Sequence, residues 1–570
     1  MRSAATIACL AAALAAGCAA VADERRATFG IRFPPPEAAE KPTAIVFMVD
    51  GVNADVFRRL LDDGRLPNLR RYFVDRGLYV ERCVVSLPSV TLSNETSLVT
   101  GLWPGHHGVT GNTWFDRNRL VLRNYEELAE KNLVDGDYLA PTIFERLSDV
   151  TTLSLFFQPH RGAAQFVENL LSAGPPYFFG WYDLVDRISL WRFVNVAEIA
   201  KVQGEFPAIV FSYLLSPDME AYRHGISSDA YRAALDHTDA QVGRILRDLE
   251  SAGRLDRTVL VMVSDHGMTD VVRHRPIYDF FRDELRLAVS RVEGPWEQTS
   301  FENRIAYYQS ISCVLAGSGD RYWAAYLRKP RAVSSDAKPP FENWLVRPSA
   351  EDLRDYPTRD GHRVDLIARL LAEEAVDVVA WRAGPDHVNL ATRRGVAEAA
   401  RSGPDGCRYS LRTIRGDDPL GYDGEVPLGM LDGSAHDASE WLAATAGSSY
   451  PDLVPQIMAY FDAERSGDLV VFAAPGWDFG KVNKAGHGGL RPEEMFTIFL
   501  AAGPGVPHAR WSGLPTENSG DPGPARTVDL VPTLLGLLGR PVPPGLDGRN
   551  VLRQSPITGA GPGAGDPPPP

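Results

Sequence analysis

Continuous apolar runs that end in or near polar residues recur along the chain and predict the strands of a sheet. The runs span residues 43–50, 206–213, 258–265, 468–472 and 496–500. Strands that are apolar on both faces suit a parallel sheet covered by helices on both sides. Helical periodicity lies between them, as at 230–249 and 528–538. The pattern predicts an α/β fold with an open, mostly parallel sheet and helices on both faces.

A middle stretch of different composition, residues 281–464, interrupts this alternation. It is richer in Pro, Gly, Trp and polar residues, and its strand-like pieces at 310–315, 322–327 and 376–381 are short. We interpret it as an inserted smaller α+β cap domain. The core then comprises residues 42–280 together with 465–553, and the low-complexity tail 554–570 is predicted to be disordered.

The N-terminus has the pattern of an export signal. Arg2 is followed by an apolar run over 7–16 and by Gly17 and Cys18. The run is too short to span a bilayer. Residues 15–18 (AAGC) resemble a bacterial lipoprotein box, which would make residues 1–18 a signal peptide and leave an acylated Cys18 at a membrane. The alternative is an ordinary signal peptide in which Cys18 is discarded.

The charged, proline-rich residues 19–41 that follow are predicted to form a tether. Export would place the protein in the periplasm, on the outer membrane as a lipoprotein, or outside the cell.

Charge and cysteine content narrow the class of protein. The 570 residues include 73 acidic and 59 basic side chains, a formal charge of −14. This balance argues against a protein that coats nucleic acid, since phosphate backbones are bound by clustered Lys and Arg.

Only Cys83, Cys313 and Cys407 remain after the signal, so the sequence allows one disulfide and does not choose the pair.

Acidic residues and histidines follow several of the predicted strands. Asp50 ends the first strand, Asp218 follows the second, and Asp265 and His266 end the third. A glycine-rich loop carries His487 just before the last strand. Ligands gather at the carboxyl ends of parallel strands, and converging carboxylates repel one another unless a cation lies between them. Asp and His side chains are typical ligands of zinc-like cations, so we predict a metal site at this edge.

A hydroxyl group at the start of a helix is the candidate nucleophile. Thr91 opens the helical stretch 91–101 after Pro88. Free backbone N–H groups and the helix dipole at such a position favour an alkoxide and a bound phosphate oxygen. Taken alone, Thr91 could equally be a helix-capping residue.

These motifs together resemble the alkaline phosphatase superfamily, in its type I phosphodiesterase / nucleotide pyrophosphatase branch. The resemblance is carried by Asp50-Gly51, residues 91–108, 264–268, 486–488, 529–539 and 545–549. It covers roughly residues 43–280 and 465–553, and the motifs occur in the family's order.

The resemblance implies roles for individual residues. Thr91 would attack phosphorus and carry a covalent intermediate. Asn94 would donate a hydrogen bond to a phosphate oxygen. Two divalent cations, with zinc the expected metal, would serve as cofactors. The first would lie beside Thr91, and the second would lie near the leaving or attacking oxygen. Their implied ligands are Asp50, Thr91, Asp265 and His266 for the first cation, and Asp218 and His487 for the second.

One position departs from the family's pattern. A histidine is usual four residues after the aspartate that is Asp218 here, and this chain has Tyr222 instead. A shifted loop would let His224 ligate, which is the alternative we favour. Otherwise the second site lacks a histidine and binds its metal weakly, or Tyr222 ligates as a phenolate.

The expected function is metal-dependent hydrolysis of phosphate esters, above all phosphodiesters or nucleotide pyrophosphates. Its substrate would be a small-molecule phosphate ester. One alternative is a phosphomonoesterase or an envelope phosphotransferase of the same superfamily, and another is a non-catalytic lipoprotein with a degenerate metal site. A sulfatase is disfavoured because the Cys/Ser-x-Pro-x-Arg motif is absent. The oligomeric state is not predicted.

Overall fold

The computed structural model describes residues 27–553, apart from residue 39 and the segments 128–129, 292–298, 332–340, 404–405 and 515–522. The predicted signal peptide with Cys18 and the tail 554–570 lie outside the described residues. Within the described part, no helix has both the length and the apolar composition that crossing a bilayer requires.

Two sheets organise the described residues. Their strands, numbered along the chain, are β1 Thr43–Val49, β2 Gly77–Val84, β3 Thr152–Leu155, β4 Gln165–Val167, β5 Ile209–Leu214, β6 Thr258–Val263, β7 Cys313–Ser318, β8 Tyr322–Leu327, β9 Val376–Gly384, β10 His387–Ala391, β11 Gly395–Ser402, β12 Arg408–Gly416, β13 His436–Asp437, β14 Leu469–Ala473, β15 Phe496–Ala502, β16 Ala509–Trp511 and β17 Ala525–Arg526.

The helices of eight or more residues are α1 Ala54–Asp62, α2 Thr91–Thr100, α3 Leu170–Phe179, α4 Tyr182–Trp191, α5 Phe193–Gln203, α6 Ser216–His224, α7 Asp229–Ser251, α8 Phe301–Gln309, α9 Ala438–Thr445, α10 Leu453–Tyr460 and α11 Leu530–Leu537. Four small two-stranded pairings also occur, Thr113–Asp116 with Val121–Asn124, Thr269–Asp270 with Ala485–Gly486, Arg273–His274 with Trp477–Asp478, and Tyr356–Pro357 with Arg363–Val364.

The main sheet has the strand order β16-β2-β15-β6-β1-β5-β3-β4, and β17 also pairs with β2. Strand β1 is parallel to both neighbours, β5 and β6, while β15 is antiparallel to β2 and β6. The carboxyl ends of β1, β5 and β6 therefore meet at one edge. This arrangement confirms the predicted α/β fold with a mostly parallel sheet.

Alternate side chains of β1 enter two different apolar cores. Ile45, Phe47 and Val49 pack on one face of the sheet with residues of α1, α5 and α7. Ala44 and Val46 pack on the other face with residues of α2 and α11. A strand buried on both sides must be apolar at every position, which explains the continuous run in the sequence.

The second sheet is antiparallel and has the order β7-β8-β14-β9-β10-β11-β12-β13. Strand β14 pairs with β8 and β9. The prediction that residues 468–472 belong to the parallel sheet is therefore wrong. The second sheet also has an apolar core on each face, to which Val470 and Val471 contribute on opposite sides. A continuous apolar run cannot distinguish these two environments.

The second sheet packs against the segment that carries the candidate nucleophile. Its core on one face includes Leu92, Val109 and Trp114, which come from the chain between β2 and β3. The division of the chain into a core and an inserted cap domain stays a prediction, and the packing joins the two parts closely.

The segment predicted as a tether is not a free linker over its described part. Ile31 and Phe33 are buried in the core that covers one face of the main sheet. The backbone N–H groups of Phe29 and Ile31 donate hydrogen bonds to Asp248 near the end of α7. Its prolines and charges suggested a linker, but the apolar residues between them pack on the helix.

His106 connects the turn after α2 to two distant segments. Its Nδ1 lies 2.7 Å from an Asp547 oxygen and its Nε2 lies 3.2 Å from Asp462. Burial by itself lowers the pKa of His106, but the hydrogen bonds to Asp462 and Asp547 outweigh burial and raise the pKa to about 10.

We expect His106 to make stability depend on pH. Because its pKa is raised in the folded state, the contribution of His106 is complete below about pH 6.5 and is lost as the pH rises toward 10. The unfolding free energy of the wild type should therefore fall more steeply between pH 7 and 9 than that of His106→Gln, measured by urea denaturation. Equal slopes in the two proteins would contradict this account.

Candidate active site

Three candidate ligands converge at the carboxyl ends of β1 and β6. Asp50 follows β1 and is 3% exposed, while Asp265 and His266 follow β6 and are fully buried. The Nε2 atom of His266 lies 3.4 Å from Asp50 Oδ1 and 3.2 Å from Asp265 Oδ2. These ligand atoms lie within 4.8 Å of one another and form the first ligand group.

Thr91 lies beside the first ligand group. It is the first residue of α2, and its hydroxyl oxygen is 3.1 Å from His266 Nε2. The residue before it, Val90, has an extended backbone, so the helix begins at Thr91.

The second ligand group brings Asp218 and His487 to the same edge. Asp218 lies in the first turn of α6, which follows β5, and its Oδ1 is 3.9 Å from His487 Nε2. His487 stacks on His266 with ring centroids 3.6 Å apart. Gly51 permits the approach, because a methyl group there would lie 2.8 Å from Asp218 Cβ. Asp218, His487 and His266 form the second compact group.

Both histidines turn the same nitrogen toward the candidate ligands. Nδ1 of His487 lies 2.8 Å from the carbonyl of Ser89, and Nδ1 of His266 lies 3.1 Å from the carbonyl of Gly267. Since a carbonyl only accepts, each Nδ1 is the donor and each Nε2 keeps its lone pair. Such support of the remote nitrogen is typical of metal-binding histidines.

The electrostatics of the site suit cations. Burial, and then the charge of Asp265, raises the pKa of Asp50 well above its usual range. Burial raises the pKa of Asp265 to about 6, and burial with the charges of Asp50 and Asp265 raises the pKa of Asp218 well above normal. Burial lowers the pKa of His266 to about 3, which keeps its imidazole neutral.

Each carboxylate of the two groups also keeps one oxygen without a hydrogen bond. These buried atoms are Asp50 Oδ1, Asp218 Oδ1 and Asp265 Oδ2. Buried polar atoms normally find a partner. A divalent cation would supply that partner and offset the repulsion, so the residues of the first group fit a cation fully.

The structure contradicts the prediction that His224 is a ligand. Its side chain is 52% exposed, and its Nε2 lies 3.5 Å from Glu220. Residues 216–224 form a regular helix, whereas the prediction required a mobile loop. In a helix the fourth residue after Asp218 is about 40° away around the axis and the sixth is about 120° away. Tyr222 therefore faces the site and His224 faces away from it.

The structure also contradicts the prediction that Asn94 binds a phosphate oxygen. Asn94 is fully buried within α2. Its amide nitrogen donates to the carbonyls of Ser86, Pro88 and Val90, and its oxygen accepts from the N–H of Ser86. All of its polar atoms bind the loop before Thr91, so Asn94 shapes that loop.

Asn112 is the residue that sequence reasoning missed. It lines the cavity beside Thr91, and its Oδ1 accepts a hydrogen bond from the N–H of Leu92 at 2.8 Å. Its amide nitrogen lies 3.2 Å from Glu126. In the sequence, Gly111-Asn112 has the pattern of a turn. No local signal shows that this turn folds back onto the start of α2.

A cavity of about 670 Å³ opens over both ligand groups. Tyr177 and Tyr182, from α3 and α4, line one wall of it. Gly319 and Trp323, from the second sheet and its turn, line another.

A buried ion pair holds the second sheet against the loop of His487. Arg321, in the turn between β7 and β8, donates to Glu494 through Nε at 2.7 Å and Nη2 at 3.1 Å, and both side chains are fully buried. Glu494 accepts the N–H of Gly489 at 2.8 Å. The N–H of His487 donates to the carbonyl of Gly319 at 2.9 Å. The turn between β7 and β8 of the second sheet thus positions His487, a candidate ligand at the edge of the main sheet.

Comparison with known proteins identifies the family to which this fold and site belong. Residues 44–379, more than half of the chain, match the type I phosphodiesterase / nucleotide pyrophosphatase family. Ectonucleotide pyrophosphatase/phosphodiesterase 1 of Saccharomyces cerevisiae is 23% identical over 296 residues, 46% of this chain and 39% of the yeast protein. Bis(5'-adenosyl)-triphosphatase ENPP4 of Bos taurus is 24% identical over 244 residues, 42% of this chain and 50% of the bovine protein. The matches span no more than half of these relatives.

Solved structures show the same fold. Murine ectonucleotide pyrophosphatase/phosphodiesterase 5 superposes with a TM-score of 0.52 at 14% identity, covering 88% of this chain and 96% of the mouse chain. An inactive variant of the mouse protein in complex with AMP gives a TM-score of 0.53, with 90% of this chain and 99% of that one covered.

An alkaline phosphatase-like α/β fold, with two groups of candidate metal ligands at the carboxyl edge of its sheet, defines the class of this protein. The chain belongs to the type I phosphodiesterase / nucleotide pyrophosphatase family, whose members are hydrolases acting on phosphate esters. Enzymes of this family use two divalent metals, and both candidate ligand groups are present here.

Removing one partner of the buried ion pair between Arg321 and Glu494 should lower the free energy of unfolding. Arg321→Met leaves the Glu494 carboxylate buried without its partner, so we expect the unfolding free energy to fall by about 3–5 kcal/mol. Adding Glu494→Gln removes the unpaired charge and should recover part of the loss. Urea denaturation of both variants measures these differences.

The exposed pair of Arg412 and Glu398 in the same sheet provides the control, because the Arg412 side chain is 66% exposed. Arg412→Met should cost less than about 1 kcal/mol. A loss of similar size in Arg321→Met would contradict the role given to the buried pair.

Proposed function

We propose that the chain hydrolyses phosphodiesters or nucleotide pyrophosphates through a covalent intermediate on Thr91, with divalent cations as cofactors. The observation that carries the proposal is the position of the Thr91 hydroxyl, 3.1 Å from His266 Nε2, next to the first ligand group and inside the cavity. A helix-capping threonine would have no reason to face three candidate metal ligands.

The chain's own residues supply a nucleophile and groups that orient the phosphate. The Thr91 oxygen forms a bond to phosphorus while the bond to the leaving oxygen breaks, and the hydroxyl proton is released to solvent. The leaving oxygen departs with the electron pair of its bond to phosphorus. Water then attacks phosphorus, the bond to the Thr91 oxygen breaks, and a proton from the water restores the hydroxyl and frees the phosphate product. The N–H of Leu92 already donates to Asn112 Oδ1, so we assign a non-bridging oxygen to the amide nitrogen of Asn112, which keeps a second hydrogen besides the one directed at Glu126.

Asp50, Asp265 and His266 would hold one cation, and Asp218 and His487 would hold the other. Bound cations would supply Lewis acidity, which lowers the pKa of the hydroxyl and offsets charge on the phosphoryl oxygens. Zinc is the cation we propose, because mixed Asp and His donors match its preferences.

The named relatives support a phosphodiester or pyrophosphate substrate. The yeast relative is named a nucleotide pyrophosphatase/phosphodiesterase, and the bovine relative is named for hydrolysis of a bis-adenosyl triphosphate. The mouse structure with AMP carries a threonine-to-alanine change described as inactive. The tyrosine-lined cavity at Thr91 offers room for an ester group of this kind.

A phosphomonoesterase or phosphotransferase remains the alternative within the same fold. A panel of nitrophenyl monoesters, diesters and sulfates, tested with metal-reconstituted protein, separates these activities. The proposed function requires that the diesters are cleaved with the highest kcat/KM. Hydrolysis of monoesters alone would replace it with the alternative, and no hydrolysis would favour the non-catalytic lipoprotein.

We also propose that the protein acts outside the cytoplasm. The export pattern of residues 1–18 supports this proposal, as do relatives named as ecto-enzymes. Attachment through an acylated Cys18 would tether the active site near a membrane, and mass spectrometry of the mature N-terminus distinguishes this form from a cleaved, secreted one.

Removal of the Thr91 hydroxyl should abolish turnover. We expect Thr91→Ala to lower kcat for diesters by at least about a thousandfold, because the nucleophile is lost. Stability and bound metal should change little, since the side chain is at the helix surface that faces the cavity. The measurements are diester kinetics, metal analysis and urea denaturation.

Thr96→Ala is the matched control for this variant. Thr96 lies in the same helix and donates its hydroxyl to the carbonyl of Leu92, away from the cavity. It should retain most of the activity. Substantial diesterase activity in Thr91→Ala would rule out the covalent role of Thr91.

Exhaustive chelation should remove activity, and zinc should restore it best among divalent cations. The physical reason is the mixed set of Asp and His ligands, which binds zinc more strongly than it binds Mg²⁺ or Ca²⁺. Activity is measured after titration of each cation into metal-free protein. Full activity in protein whose metal content is confirmed near zero would exclude metal dependence.

A further inference from the structure

The second ligand group has fewer donors of its own than the first. His266 belongs to both compact groups, but its free Nε2 carries one lone pair. That nitrogen lies 3.1–3.4 Å from Thr91, Asp265 and Asp50, all on the side of the first group. If His266 serves the first cation, only Asp218 and His487 remain for the second.

Protein zinc sites normally use at least three protein ligands. Apart from His266, no His, Cys, Asp or Glu among the described residues joins a compact group with Asp218 and His487. Asp320 lines the same cavity, but its carboxylate accepts a hydrogen bond from Asn483 at 2.6 Å. His224 points away, toward Glu220.

Tyr222 lies where a third ligand would be expected. It is one helical turn after Asp218, lines the cavity, and its ring meets the ring of His487 edge to face at 5.7 Å. Within the described part of the chain, its hydroxyl has no hydrogen-bond partner, and its backbone carbonyl accepts a hydrogen bond from the N–H of Lys484 at 2.8 Å. A neutral phenol offers a cation a much weaker donor than an imidazole nitrogen.

We propose that the two cation sites of this chain are unequal, with a tight site in the first ligand group and a weak, exchangeable site that has only Asp218 and His487 as protein ligands. Tyr222 occupies the third position without ligating. The cation at the weak site completes its coordination with water or substrate oxygens. The proposal rests on the proposed function only in taking both ligand groups as metal sites.

The number of bound metals at controlled free zinc tests the proposal. Full-length protein is stripped of metal, equilibrated at a series of buffered free zinc concentrations, and analysed for zinc per chain by mass spectrometry. We expect one equivalent at low free zinc and a second only at concentrations at least about tenfold higher. Two equivalents that fill together in the wild type would overturn the proposal.

Variants at position 222 identify the cause of the inequality. Tyr222→His should add a nitrogen donor and bring the second equivalent to at least about tenfold lower free zinc. Tyr222→Phe should leave both equivalents unchanged. Loss of the second equivalent in Tyr222→Phe would make the phenol oxygen a ligand and would overturn the proposal.

Two further variants keep the test decisive if Tyr222→His does not fold. Asp218→Asn should remove only the weak equivalent and leave the tight one, and loss of the tight equivalent instead would contradict the assignment. His224→Ala, on the same helix, is the matched control and should bind zinc as the wild type does. A second equivalent lost in His224→Ala would restore His224 as a ligand and refute the proposal.

Failure of this inference and failure of the proposed function are distinguishable. Zinc counting does not depend on turnover, so unequal sites in a protein without diesterase activity would leave the inference intact. Equal sites in an active diesterase would refute only the inference.

Discussion

The repulsion among buried carboxylates at one edge of the main sheet is the constraint on which the site depends. Asp50, Asp265 and Asp218 are withdrawn from water, and burial raises the pKa of each above its usual range. Three such groups can be held together only if protons or cations offset their charge. The neutral histidines beside them indicate cations, because an imidazole with a free Nε2 is a metal ligand and gives no positive charge of its own.

The second sheet acts on this site through buried polar contacts, of which the pair of Arg321 and Glu494 is the most deeply buried. The guanidinium of Arg321 is fully buried and paired with Glu494, which in turn binds the backbone two residues after His487. Desolvating an ion pair is expensive, so the pair contributes more to the position of the loop than to net stability. This explains why the turn between β7 and β8 packs so closely that a side chain at Gly319 would collide with His487.

Helical geometry decides which polar residues reach the cavity. Tyr222 follows Asp218 by one turn and shares its face, whereas His224 lies on the outer side of α6. Asn94 is one turn after Thr91, yet its amide is consumed by the backbone of the preceding loop. Asn112 reaches the start of α2 from a separate hairpin. The side chains that line the cavity are therefore brought together by the fold, and closeness to a motif in the sequence does not decide which residues they are.

Local patterns in the sequence were sufficient for the main fold and for five of the candidate ligands. Apolar runs located β1, β5 and β6, and the polar residues after them located Asp50, Asp218 and Asp265, because parallel strands expose their carboxyl ends at one edge. The same patterns could not assign β14 to its sheet, since both sheets are covered on both faces. Nor could they place His224 or Asn112, because side-chain direction and long-range contact are set by packing. Only the tertiary structure decides the sheet to which β14 belongs and the positions of His224 and Asn112.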